Sequence, residues 1–303
     1  MGELDDFKAS INLSEVAASR GYVLDVRESS RNSAVMRHPD GDKIIIGRSE
    51  GGDWIYFSVR DDRDNGTIID FVQRREGCTL GQVRKILRAW SGADRPKIPA
   101  ATFAPALLPI TRDRAAVMMA WEHAHFLAAV PYLIGRGLGP ELLNLPRFAG
   151  CCRVDKRGNA LFPHYDKGGL CGFEVKNHGF TGFAAGGVKG LWFSQCRPSD
   201  RCLVLAESAI DALSYHVLNP DDDARYMSTG GTMNPQQPAL IRGAMEKMPH
   251  GSLVLLAFDN DAGGGKLAAE VRDLSPSGIE LRRVLSSVGK DWNDALKGKL
   301  GLT

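Results

Sequence analysis

The sequence predicts an α/β protein whose last third, residues 201–303, holds a four-stranded parallel sheet flanked by helices, with α+β parts before it. Three observations carry that expectation. Two apolar runs, residues 202–206 and 253–258, have the length of buried strands and are bounded by turn formers. Each ends directly on an acid, Glu207 or Asp259, and Asp261 follows two residues after the second. From Arg201 onward strand and helix patterns alternate: helices over about 210–218, 238–247 and 266–274 separate strands near 202–206, 225–228, 252–258 and 280–284. That order belongs to a parallel sheet with right-handed crossovers.

The earlier elements follow in turn. Residues 1–92 read as a small α+β segment. Asn12 caps an amphipathic helix that ends at Gly21. Alternating runs at 33–36, 43–47 and 54–59 predict a small antiparallel sheet with turns at Pro39-Asp40-Gly41 and Gly51-Gly52. Asn65-Gly66-Thr67 starts a helix through Phe71 and Val72, and another helix spans about 79–90. Residues 93–110 carry Pro96, Pro99, Pro105 and Pro109 and predict a linker. Residues 111–200 open with a helix over about 112–129. A short helix near 140–143 and several short strands with glycine turns, from 149 to 193, complete that segment.

Composition narrows the function classes. The chain has 303 residues, 43% hydrophobic and 24% charged, an ordinary balance for a globular protein with a sizeable core. No apolar run reaches membrane-spanning length and no signal segment opens the chain, so the expectation is a cytoplasmic protein with no membrane partner. Six scattered cysteines form no CxxC pair, which predicts reduced thiols instead of a zinc site or a disulfide framework. The net charge of +2 conceals an asymmetry. Residues 100–200 carry eleven basic groups against seven acidic, and residues 201–303 carry eleven against thirteen. A basic middle beside an acidic end suits a protein that grips a polyanion next to a metal site.

Acids at the carboxyl ends of neighbouring parallel strands meet where open α/β sheets place their ligands. Grouped carboxylates repel, so the pattern favours a bound divalent cation, and oxygen-only ligands point to Mg²⁺ or Mn²⁺. Glu207, Asp259 and Asp261 are the leading catalytic and metal-binding candidates. Asp291 and Asp294, in the stretch Asp291-Trp292-Asn293-Asp294, are secondary candidates, and capping of the last helix is the alternative role of that stretch. Lys290 beside them either reaches a phosphate or stays solvated. Gly263-Gly264-Gly265-Lys266 is no P-loop, because Leu267 stands where Ser or Thr must hold Mg²⁺. Its expected use is close backbone approach after the Asp-x-Asp turn.

These residues together resemble the Toprim fold of bacterial DnaG-type primases, topoisomerases and several nucleases. Glu207 matches the family's Glu after the first strand, and Asp259-Asn260-Asp261 its Asp-x-Asp after the third. Asp211 lies one helical turn after Glu207, where primases look similar, and joins the metal candidates. Ser228-Thr229-Gly230-Gly231-Thr232 resembles the turn after the second strand. Ser208, where many members have Gly, and Asn293, within the last acidic motif, are departures. Upstream, Tyr132-Leu133-Ile134-Gly135-Arg136-Gly137-Leu138 and the stretch from Asn159 to Phe173 are similar to the primase polymerase domain. That resemblance makes Lys176 and Lys189 candidates for phosphate contact; Arg136, between two glycines, is either a nucleic-acid contact or a surface turn residue. Residues 1–92 resemble a primase zinc-binding domain without its Cys and His ligands, so no zinc is expected.

The resemblance implies a compact primase-like form, of the kind carried by plasmids, phages or other mobile elements, without the helical and helicase-binding domains of full-length primases. It would use Mg²⁺ or Mn²⁺ to make short RNA primers on single-stranded DNA from ribonucleoside triphosphates. A replicative helicase or relaxase is the candidate protein partner. Two alternatives stand beside it: a Toprim nuclease or phosphodiesterase, and a non-catalytic nucleic-acid-binding module.

Overall fold

The computed structural model describes residues 2–61, 64–92, 95–109, 111–126 and 129–302. The chain divides into two compact units, residues 1–111 and 112–303.

In the first unit, helices α1 (Glu3–Ser10) and α2 (Leu13–Ala18) precede five strands. These are β1 (Val23–Leu24), β2 (Ser33–Arg37), β3 (Lys43–Arg48), β4 (Trp54–Ser58) and β5 (Asn65–Thr67), an antiparallel sheet in sequence order. Helices α3 (Ile68–Glu76) and α4 (Leu80–Ser91) close the unit. Local chemistry sets these boundaries. Asn12 accepts from Ser14 N and caps α2, which is shorter than its pattern predicts. Thr67 and Asp70 form a reciprocal capping box on α3, and Gly77, at φ +58°, ends it. Asn65–Thr67 also pairs with β4, so the expected helix start doubles as an edge strand.

The proline-rich stretch is packed rather than loose where it is described. Ala104 and Leu107 are buried in the first unit's core. Asn12 Nδ2 donates to Ala104 O at 2.8 Å and Leu108 N to Arg31 O at 2.9 Å. Residues 93, 94 and 110 of the expected linker lie outside the described residues.

In the second unit, α5 (Arg114–Glu122), α6 (Pro131–Ile134) and α7 (Pro140–Leu143) come first. The helix expected over 112–129 stops at Glu122, and residues 127 and 128 lie outside the described residues. A four-stranded antiparallel sheet follows: β6 (Arg153–Val154), β7 (Ala160–Asp166), β8 (Gly169–Asn177) and β9 (Phe180–Phe183). Val117 and Trp121 of α5 pack on Leu161 and Phe173 of that sheet.

The second sheet is built from β10 (Trp192–Phe193), β11 (Cys202–Ala206), β12 (Ala224–Ser228), β13 (Leu253–Ala257) and β14 (Glu280–Arg283), in the order β10-β12-β11-β13-β14. Helices α8 (Ala209–Leu218), α9 (Gln237–Glu246), α10 (Ala262–Asp273) and α11 (Trp292–Leu300) cover it. The four expected strands are parallel, but the sheet has five: β10 adds an antiparallel edge on β12. Tertiary bonds hold this two-residue strand. The Trp192 indole donates to Cys151 O at 2.8 Å, and Leu191 and Tyr165 exchange backbone bonds.

Strand β11 lies mid-sheet with both faces covered, which is why all five of its residues are apolar and buried. Val204 and Ala206 point into one core with α8 and α11, where Ile210, Leu213, Trp292 and Leu296 meet side chains of α6 and α7. Leu203 and Leu205 point into the other, with Ile241 of α9 and Leu267 of α10. The first of these cores draws on both the 111–200 stretch and the 201–303 stretch. Among the described residues no helix is long and apolar enough to cross a membrane.

Candidate active site

Register brings the acids together. Ala206 pairs with Ala257 across β11 and β13, so Glu207 and Asp259 leave the same end of adjacent parallel strands. Asp259 is 6% exposed. Its Oδ1 is buried without a hydrogen-bond partner, while Oδ2 lies 3.4 Å from Lys290 Nζ. Asp261 caps α10 through Oδ1, which accepts from Gly264 N at 2.9 Å, and its Oδ2 lies 3.1 Å from the same Lys290 ammonium. Gly264 is required here, since a Cβ would run into the Asp259 backbone.

The electrostatics are those of crowded negative charge. Burial, reinforced by Asp259 and Asp261, pushes the Glu207 carboxyl up to about 7. Burial and the nearby Asp291 push Asp211 up to about 7 as well. Asp259 is raised by burial even against the pull of Lys290. Asp261 goes the other way, held below the usual carboxylate range first by the Gly264 amide and then, against some burial, by Lys290.

Backbone contacts hold the acids in place. The glycine turn after β12 grips Glu207: the amides of Gly230 and Gly231 donate to its carbonyl at 2.9 and 3.0 Å. Both glycines have positive φ, +67° and +87°. Lys189 Nζ donates to Gly230 O at 3.1 Å and Thr232 O at 2.5 Å. Burial lowers its pKa, with Glu174 and Glu207 opposing. Lys176 pairs with Glu174 at 3.0 Å. Glu174 also meets His164 Nε2 at 3.2 Å, and the opposite nitrogen, Nδ1, lies 2.8 Å from Gly190 O. Arg283, at the end of β14, donates to Asp259 O at 2.6 Å and Gly264 O at 2.9 Å.

The remaining candidates occupy a neighbouring layer. Asp211 Oδ2 accepts from Ser208 Oγ at 2.5 Å, and its Oδ1 from Asn293 N at 3.3 Å. Asp291 caps α11 by accepting from Asp294 N at 2.7 Å. Asp294 itself is exposed on the first turn of α11. Arg136 is engaged with Asn293: its guanidinium donates to Asn293 Oδ1 at 3.1 Å, and Asn293 Nδ2 donates to Arg136 O at 2.9 Å. Asn293, a departure by motif, thus ties α11 to α8 and to the turn after α6. His164, Glu174 and Arg283 are the site-building residues that sequence reasoning missed. For the first two the signal was a polar residue at an otherwise apolar, inward strand position.

Among the described residues, no three His, Cys, Asp or Glu side chains stand close enough to hold a metal ion as they are placed. The donor set nevertheless fits a divalent cation: all oxygen, mutually repelling, with one buried orphan oxygen and a lysine ammonium standing where positive charge is needed.

Residues 204–296 match the family model described as Toprim-like, and residues 131–201 match the one described as a protein of unknown function (DUF3991). A curated relative from Zymomonas mobilis subsp. mobilis, named 65 kDa protein, is 32% identical over 200 residues, covering 60% of this chain and 33% of the relative. The chain therefore spans about a third of the length of that relative. Two solved structures resemble part of the chain. One is the primase fragment of the bacteriophage T7 primase-helicase protein, with TM-score 0.40 and 17% identity over 57% of this chain and 70% of that one. The other is the T7 lagging-strand DNA polymerase interacting with primase domains bound to an RNA/DNA hybrid and dTTP, with TM-score 0.41 and 17% identity over 58% and 86%. Likeness at this level says nothing about activity. The two family matches are adjacent, the DUF3991 match ending at residue 201 and the Toprim-like match beginning at residue 204.

Proposed function

We propose that the chain is a primase-like nucleotidyltransferase, joining ribonucleotides into short primers on single-stranded DNA with the help of Mg²⁺ or Mn²⁺. The observation that carries this reading is the Asp259 carboxylate. One of its oxygens is buried and unpartnered, beside Asp261 and within repelling range of Glu207. A buried carboxylate oxygen in that state calls for a cation.

Glu207, Asp259 and Asp261 would hold the ion, with Asp211 and Asp291 adding negative charge behind them. When bound there it would neutralise phosphate charge and make an attacking oxygen more nucleophilic. The chain's own residues do the positioning. The glycine turn fixes the Glu207 backbone, Arg283 fixes that of Asp259, and Lys189 holds the turn through its carbonyls. Lys176 and Lys290 supply positive charge for phosphate, and Arg136 steadies the packing of α11. The β7–β8 hairpin, which carries the primase-like Phe162-Pro163-His164 stretch, bears on that turn through His164 and supports primer synthesis over hydrolysis.

The test is a product assay with single-stranded DNA, labelled ribonucleoside triphosphates and Mg²⁺ or Mn²⁺. Short labelled oligomers are expected. Shortened template instead would make the same site a nuclease, and binding without product would make the chain a nucleic-acid-binding module.

A further inference from the structure

We propose that Lys290 is the resident counter-cation of the acidic site, and that a divalent ion binds by displacing its ammonium group. This rests on the metal reading above and names the residue that sets the ion's affinity.

Lys290 Nζ stands 3.1 Å from Asp261 Oδ2 and 3.4 Å from Asp259 Oδ2, so one charge is shared by two carboxylates. The residue is anchored at its backbone, while its side chain lies open to solvent. Asn260 N donates to Lys290 O at 2.8 Å, and Asn260 Nδ2 donates to Ser286 O at 2.8 Å, which ties residues 286–290 to the Asp-x-Asp turn. The side chain is 61% exposed. Its ammonium can swing into water without pulling a buried group along.

The ammonium is also an incomplete partner. It leaves Asp259 Oδ1 buried and unbonded. A lysine offers three donors and one charge. A divalent ion takes six or more oxygens at twice the charge, and so meets the demand that the ammonium leaves open. The two ion pairs that must break are weak because their cationic end is solvated, so the penalty on ion binding is a factor of several, not of thousands. Lysine thus offsets the repulsion between the carboxylates while remaining replaceable.

The test is titration of the full chain with MnCl₂, free Mn²⁺ being read by electron paramagnetic resonance, for wild type, Lys290→Met and Lys290→Gln. Both variants are expected to bind Mn²⁺ roughly three- to tenfold more tightly, at unchanged stoichiometry. Equal or weaker binding overturns the proposal, since the ammonium then either does not compete or orders the carboxylates for the ion. A second readout uses amine acetylation followed by mass spectrometry. Saturating Mn²⁺ should raise labelling of Lys290 several-fold in the wild type, and unchanged labelling overturns the proposal. If wild type and both variants all fail to bind Mn²⁺, the metal reading falls and this proposal with it. If wild type binds and only the Lys290 effects are missing, the metal reading stands alone.

Discussion

The half-buried aspartates of the first unit and the acids of the candidate site in the second are treated in opposite ways. In the first unit Asp64 accepts from Arg75 at 2.7 Å and from the Tyr56 hydroxyl at 2.5 Å, with Arg74 at 3.3 Å. Asp42 accepts from the same Arg75 at 3.1 Å and from Tyr22. Arg75 also lies over the rings of Tyr22, Tyr56 and Phe71. Burial works against ionisation of Asp64, but Arg75 and Tyr56 outweigh it and hold the carboxyl below its usual value. In the second unit Glu207, Asp211 and Asp259 are raised, and one exposed lysine serves two acids. The first set is complete within the fold, and the second is short of positive charge.

The comparison can be broken by substitution. Asp259→Asn should lower metal-dependent activity by about 10³-fold, the loss of several kcal/mol of ion-supplied stabilisation. Its metal-free melting temperature should hold or rise, because a raised, orphaned carboxylate is removed. A large drop in metal-free stability would place Asp259 among the structural acids. Arg75→Met should do the reverse. It takes the shared cation from Asp42 and Asp64, leaving Asp64 with Arg74 alone, and should destabilise the first unit by about 2–3 kcal/mol, below the range for a fully buried pair because all three groups keep some solvent contact. Denaturant melts resolved by unit would check it. Gly264→Ala should cost the second unit about 1–3 kcal/mol through overpacking against the Asp259 backbone, with loss of metal binding in the same protein.

The smallest effect is a difference in pH response. Glu207 and Asp211 are raised in the folded chain, from ordinary values of 4.5 and 3.8 to about 7. Their stabilising contribution is complete below the ordinary values and is lost as pH climbs through about 7. Without metal, the second unit should lose on the order of 1 kcal/mol or more per group between about pH 4 and pH 7. Asp64 is lowered, so its contribution is present above pH 3.8 and is lost as pH falls through its depressed value. Hydrogen exchange across pH 4 to 8 should therefore loosen the second unit toward neutrality and leave the first unchanged. Parallel behaviour of both units would remove the contrast.

Much of this site was legible because burial on both faces of a central strand forces an unbroken apolar run. Residues 202–206 and 253–257 could be read as strands for that reason, and an acid directly after such a run has to sit at the sheet edge. The glycine turn at 230–231 was legible from its resemblance to the family's turn after the second strand, and its positive φ is what selects glycine there. That the last of the short strands, β10, joins this sheet was not legible, because two residues carry no periodicity and the bonds at and beside it reach Cys151, Tyr165 and Tyr226. The fate of the cations was equally hidden. Lys189 bonds backbone carbonyls some forty residues away, Arg136 bonds Asn293, and Arg283 bonds the carbonyls of Asp259 and Gly264. A backbone carbonyl carries no signature in the sequence, so lysines and arginines that hold a site together look the same as those that would touch a ligand. The sheet of the first unit likewise has a polar network behind it, centred on Arg75, that its alternating pattern does not announce.

The most direct test of the central claim is an Mn²⁺ titration of wild type beside Asp259→Asn and Asp64→Asn, with free Mn²⁺ as the readout. Saturable binding at millimolar concentration or below, lost in Asp259→Asn and kept in Asp64→Asn, is the predicted result. Absence of binding in the wild type, or binding that survives Asp259→Asn unchanged, would contradict it.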